Sequence, residues 1–214
     1  MLSLLSVLSE ILPVIFYLCF VRRNKGEGLW VIFVYCFISF SAETGSIFLH
    51  PAIDKFYLFA SVTICEYTLF SLFLYLAIKE KTFKYIIILG SLIFYAMAII
   101  NLIYKKSSTF DSLSASVEAI LIIVYSILYL YEQIQDPEVI YVYHTKQFWI
   151  VAAFFLYFSS TLFLFVYAAT LTNQEHKNYW FINDFFNILK NVFFCISLTM
   201  KKDIPISSKE SLTL

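Results

Sequence analysis

Charge is scarce in this chain, and so are the residues that punctuate helices. Only 14% of its 214 residues are charged, and glycine and proline number four each. A soluble domain carries about a quarter charged residues, so an ordinary soluble fold is excluded. So few glycines and prolines argue for continuous helices. A membrane barrel would show alternating segments of about ten residues separated by turn signals, and none is present. The formal net charge is zero and no basic arm stands out, which removes any general attraction to nucleic acid. The four cysteines, Cys19, Cys36, Cys65 and Cys195, lie in apolar segments without C-x-x-C spacing, and read as small buried hydrophobes. No G-x-S-x-G, H-E-x-x-H or P-loop occurs, nor the two-aspartate arrangement of intramembrane aspartyl proteases. No catalytic residue, metal site or cofactor is therefore expected. None of the three histidines falls inside an apolar span: His50 and His176 fall at one end of the spans and His144 at the other.

What the chain has instead is apolar length. It is 61% hydrophobic, 20% of it aromatic, with a mean hydropathy of +0.80. About twenty apolar residues span a bilayer as a helix. Seven such spans are expected, at about 2–21, 29–49, 56–78, 85–104, 113–131, 147–171 and 179–200. The expectation is an all-α, polytopic bundle of seven transmembrane helices in one domain over 1–200, with a polar tail at 201–214. In the first span the basic residues follow the apolar run and no small-residue cleavage site stands out, so it reads as a retained helix. Trp30, Trp149 and Trp180 stand at span ends, where an interfacial belt belongs. Lys and Arg set the direction. Ten lie after spans one, three and five and in the tail, against four after spans two, four and six. That count places the N-terminus outside and the C-terminus in the cytoplasm.

The seventh span, YWFINDFFNILKNVFFCISLTM, is the one around which the rest is organised. Asn183, Asp184, Asn187, Lys190 and Asn191 fall on one helical stripe in it. Lipid does not tolerate that stripe, since a charge at mid-bilayer costs ~2.5 kcal/mol or more. Other helices must cover it. The faces that supply the cover are Ser39, Glu43, Ser46 and His50 in the second span, and Thr63, Glu66 and Tyr67 in the third. The fifth adds Asp111, Ser114, Glu118 and Tyr125, and the sixth Tyr157, Ser160 and Thr161. At 1.5 Å per residue, Glu43, Glu118 and Asp184 lie ~8–9 Å below the outer ends, Glu10 and Glu66 ~12–15 Å, and Lys190 ~17 Å. The buried charges thus gather in the outer half. Glu10, Glu43, Glu66, Glu118 and Asp184 oppose a single base, Lys190, and cannot all stay ionised in a low dielectric. The candidate ligand- or proton-binding residues are Glu43, Glu66, Glu118, Asp184, Asn187, Lys190 and Asn191. Glu10 is the weakest acid in the set, because it could snorkel or face a wet crevice.

A lysine midway along the seventh helix of an N-out bundle resembles the rhodopsins, where that lysine holds retinal as a Schiff base and Glu66 would be the counter-ion. Here the position four residues before the lysine is Phe186 rather than the aspartate of the microbial pattern, and the mid-spans hold no tryptophan. The run FWIVAAFFLYFSSTLFLFVYAATL, followed by NDFFNILKN, is similar to the last two helices of small bacterial seven-helix membrane proteins associated with membrane sensing beside histidine kinases. That resemblance covers the last third of the chain. It implies a bacterial inner membrane and a signalling partner such as a histidine kinase.

Together these readings lead to a membrane sensor. A small polar or cationic ligand, or protons, would enter an outward-facing acidic cavity, and binding would be relayed to a partner protein. A proton-coupled solute carrier is the alternative, and a lipid-acting enzyme using Glu66 and Asp184 a third. The orientation is testable directly. A reporter active only in the cytoplasm should be active when fused after Leu214 and silent when placed at Lys177; the reverse pattern would invert the bundle.

Overall fold

The computed structural model describes residues 2–24, 28–48, 55–103, 111–135, 142–167 and 173–200. Among them the chain is helical and forms no strand. The helices are α1 (Leu2–Cys19), α2 (Trp30–Phe48), α3 (Lys55–Ala77), α4 (Lys81–Ile103), α5 (Ser112–Gln135), α6 (Lys146–Tyr167) and α7 (Asn173–Thr199), with a single 3-10 turn at Val142–His144. All but α2 contain a stretch long and apolar enough to cross a membrane, and α2 adds a shorter apolar stretch, Trp30–Gly45. The protein is a multi-pass helical membrane bundle.

The expected spans match these helices closely, except where a helix outlasts its apolar part. Lys81–Lys84 were expected in a loop and open α4; Glu132–Gln135 likewise close α5, and Asn173–Asn178 open α7. Hydropathy marks the part of a helix that lipid can hold, whereas backbone hydrogen bonding continues into the polar flanks. His50, the 201–214 tail and the side chains of Ser46 and His176 lie outside the described residues.

Six helices close a ring. α1 packs on α2, α2 on α3, α3 on α5, α5 on α6, α6 on α7, and α7 back on α1. α4 stands outside it, against α3 and α5. The buried and exposed faces of α5 and α4 fit that division. α5 buries Ser114, Ala115, Glu118, Ala119, Ile122, Tyr125, Ser126, Tyr129 and Gln133, a stripe at three- and four-residue spacing that carries its polar groups. Its other face, Leu113, Ile120, Val124, Ile127 and Ile134, is exposed and apolar, as lipid requires. α4 buries only Ile87, Gly90, Phe94 and Ala98. One narrow stripe suits a helix with neighbours on one side.

Aromatic rings fill the ring's interior. Phe70 packs at 4.2 Å on Phe154 and 4.4 Å on Tyr35, while outside the ring Tyr67 stacks at 3.8 Å on Phe94 of α4. One end is tied by cations. Arg23 donates to the Thr199 carbonyl (2.7 Å), and the Lys146 ammonium donates to the Arg23 carbonyl and Asn24 Oδ1 (both 3.1 Å). Ser197 Oγ donates back to the Lys146 carbonyl at 2.9 Å. Lys146, counted from sequence among the loop cations, is therefore buried, with the Arg23 carbonyl and the Asn24 side chain accepting from its ammonium. The ends of α1 and α7 and the start of α6 are locked together, and positive groups sit where helix C-termini favour them.

Two glycines are structural. Gly28 has φ +71°, in the left-handed region, and makes the turn into α2. Gly90 lets Tyr125 approach α4: a Cβ there would collide with the Tyr125 hydroxyl and lie 3.2 Å from its Cζ. That hydroxyl is held by Tyr67 (3.2 Å) and the Ile87 carbonyl (3.3 Å), so it does not swing aside freely. Gly90→Ala should lower stability by about 1–3 kcal/mol, the usual cost of overpacking. Tyr125→Phe should recover part of the loss in the double variant, as read by thermal melts in detergent.

Candidate functional site

The ring encloses a partly open cleft of about 120 Å³. It lies in the half of the bundle where α2 and α6 end and α3, α5 and α7 begin. Acids come from four helices: Glu10 from α1, Glu43 from α2, Glu66 from α3 and Glu118 from α5. α7 contributes Asn183 and Asn187, and rings come from Tyr35, Phe59, Tyr157, Phe158, Phe165 and Trp180. Among the described residues, no basic side chain lines it.

Lys190 lies beside the cleft and is almost wholly buried, 2% exposed. Its ammonium donates to the Tyr35 hydroxyl at 2.5 Å and stands 3.7 Å from Glu66 Oε1. Tyr35 OH in turn donates to that same carboxylate oxygen at 2.9 Å. The ammonium also lies over the Tyr157 ring at 4.1 Å, the Tyr35 ring at 4.8 Å and the Phe70 ring at 5.9 Å from their centroids. A carboxylate, a hydroxyl and three ring faces thus replace the water stripped from the charge. Tyr157 is itself fixed, because its hydroxyl donates to Asn183 Oδ1 at 2.9 Å.

Glu10 belongs to the site more firmly than its sequence position implied. It is buried, and its Oε1 accepts from Ser39 Oγ (2.9 Å) and Asn187 Nδ2 (3.2 Å). It does not snorkel, because α1 turns this face to α7 and α2 rather than to lipid. Two carboxylate oxygens at the cleft, Glu10 Oε2 and Glu118 Oε1, are buried without a hydrogen-bond partner. Such atoms are costly unless something fills the space beside them.

The helix-seven stripe is divided by its neighbours. Asn187 bonds Glu10 and also Ser6 Oγ at 2.9 Å, and Asn191 Nδ2 donates to Ser9 Oγ at 2.8 Å. Asn191 therefore serves the α1–α7 seam. Asp184 does not line the cleft. It stands seven residues before Asn191, two turns along the same face, and so shares its side of α7. Glu43, Glu66, Glu118 and Asn187 are brought together; Lys190 joins them through Glu66; Asp184 and Asn191 stand apart. On α3, Thr63 lines the cleft with Glu66, while Tyr67 turns away to Ser91 and Tyr125. Asp111 accepts from Asn101 and from the Ser114 amide, capping α5. Tyr35 was not singled out from sequence, yet it bridges Lys190 and Glu66. The signal was present, since Tyr35, Ser39 and Glu43 are spaced by four on one helical face. Trp180, expected only as an interfacial anchor, also lines the cleft. Among the described residues, no group of three or more His, Cys, Asp or Glu is placed to hold a metal ion.

The pairing generates a specific expectation. Lys190→Met removes the ammonium beside Glu66 and should destabilise the protein by ~3 kcal/mol or more. Adding Glu66→Gln should recover part of that loss, whereas adding Asp184→Asn should recover none. Equal recovery by both in thermal melts would mean that Lys190 has no particular partner.

No family model, no curated protein and no solved structure matches this chain.

Proposed function

We propose that the protein is a receptor-like membrane module that binds a small cation, or protons, in the acidic cleft and passes the event to a partner protein. The observation that carries the reading is the charge of the cleft. Glu10, Glu43, Glu66 and Glu118 line it, no basic side chain does among the described residues, and the ammonium beside it is engaged by Glu66. A cation entering there meets carboxylates already stripped of water, where attraction is far stronger than in solution. In the proposed orientation the N-terminus is outside, all seven helices cross, and the cleft opens outward, which agrees with the ten-to-four distribution of loop cations. A bacterial inner membrane rests on the resemblance of the last third of the chain.

Lys190 gives the site a route to the other end of the bundle. A cation drawn to Glu66 competes with Lys190 for the same carboxylate and loosens its hold on α7. α7 runs from there to the latch at Ser197 and Thr199, where α1 and α6 are also held. A shift of α7 would therefore reach the surface offered to a cytoplasmic partner. A ligand moves such an equilibrium only by its differential affinity for the two states, and competition for Glu66 supplies that difference.

Trp180 in the cleft wall is a built-in reporter. Its fluorescence in the purified protein should change on addition of a cation or on acidification. The change should vanish in Trp180→Phe, although Trp30 and Trp149 remain. Glu43→Gln should weaken the cation response about tenfold, the worth of one charge-assisted contact. In sealed vesicles the protein should carry no flux; cation-driven proton movement would make it a carrier instead.

A further inference from the structure

We infer that the cleft takes a primary organic ammonium ion with a compact apolar body, of about the size of one ring with a short arm. The inference rests on the cation-binding reading above and names the chemical class of the ligand. The protein already shows how this interior holds an ammonium. Lys190 Nζ sits between a carboxylate, a tyrosine hydroxyl and ring faces. The adjoining cleft presents carboxylates and ring faces of the same kind. Glu118 and Glu10, each 2% exposed, line it, and each has a buried oxygen without a partner, Oε1 of the one and Oε2 of the other. Aromatic side chains stand around them, with Tyr157 shared between the Lys190 cage and the cleft.

Three features select the class. In the ionised form the unpartnered atoms are acceptors, so a cation that also brings hydrogen-bond donors satisfies them, which an ammonium does and a quaternary nitrogen does not. Leu58, Phe59, Val62, Phe158 and Phe165 make much of the wall, so an apolar body gains on entry whereas a bare hydrated metal ion would exchange water for hydrocarbon. Ring faces beside carboxylates suit an organic cation in particular. Size follows from volume: the cleft holds about 120 Å³, and a cavity of roughly 150 Å³ is known to accommodate benzene. The cleft is smaller than that cavity but partly open, so a single six-membered ring is near the upper limit of what it encloses, with a short arm reaching beyond the ring.

The test uses the full-length protein in detergent at about neutral pH, with benzylammonium as the probe. Benzyl alcohol is its uncharged counterpart, tetramethylammonium the cation without donors, and sodium the bare ion. Binding is read by calorimetry and by thermal melting. Benzylammonium should raise the melting temperature, and the other three should do so at least tenfold less effectively. Glu118→Gln, which keeps shape and removes charge, should weaken benzylammonium tenfold or more. Should that variant fold poorly, Ala42→Leu narrows the cleft without touching an acid and should weaken binding similarly. Benzyl alcohol binding as well as benzylammonium would overturn the inference, as would undiminished benzylammonium binding in the variants. If sodium or acidification alters Trp180 fluorescence while benzylammonium does not bind, the ligand class is wrong and the cation-responsive reading stands. If no cation and no acidification has any effect, both fall.

Discussion

One ammonium with no water around it organises this bundle. Lys190 is the only Lys or Arg inside the expected spans, and it lies midway along α7. Neither lipid nor an apolar core can hold it alone. Glu66 on α3 supplies the counter-charge, Tyr35 on α2 the hydroxyl, and Tyr157 on α6 the nearest ring face. They come from two pairs of consecutive helices far apart in the chain, α2 with α3 and α6 with α7. The requirement that they meet at one atom draws them round a common centre, and α1 and α5 close the ring.

The same requirement explains the excess of acid. A single pair would satisfy Lys190, yet Glu10, Glu43 and Glu118 border the space beside it. Hydrogen bonds from Ser39 and Asn187 tie down one oxygen of Glu10, while the other, with one of Glu118, has no partner. Buried polar groups left in this state raise the energy of the empty protein. The cage that buries Lys190 and the wall of the cleft thus share residues, Glu66 and Tyr157.

The two ends of the bundle are built differently. Near the cleft, Glu43, Glu118 and the α7 asparagines leave room between helices. At the other end, Arg23, Asn24 and Lys146 close the bundle with hydrogen bonds to loop and helix-end carbonyls. α7 belongs to both halves, with Asn183 and Asn187 at the cleft and Ser197 and Thr199 at the tied end.

Sequence by itself determined the class of fold and the cast of the site. Low charge and long apolar runs leave only a helical membrane bundle, because each buried backbone group must be satisfied within its own segment. Helical periodicity placed Glu43, Glu66, Glu118 and Asn187 on inward faces, since polar atoms in lipid-spanning helices have nowhere else to go. The tertiary structure decided what periodicity cannot. A stripe such as 183, 184, 187, 190 and 191 is wider than one neighbour can cover, so packing order assigned its two sides. Asn183 and Asn187 went to the cleft and Asn191 to α1. Glu66 rather than Asp184 became the partner of Lys190, because α3 and α2 approach that face while Asp184 lies along the α1 side. Glu10 joined the site through a contact between α1 and α7 that no local pattern encodes. Which helix is left outside the ring was also a matter of packing, although the single narrow buried stripe of α4 was already written in its residues.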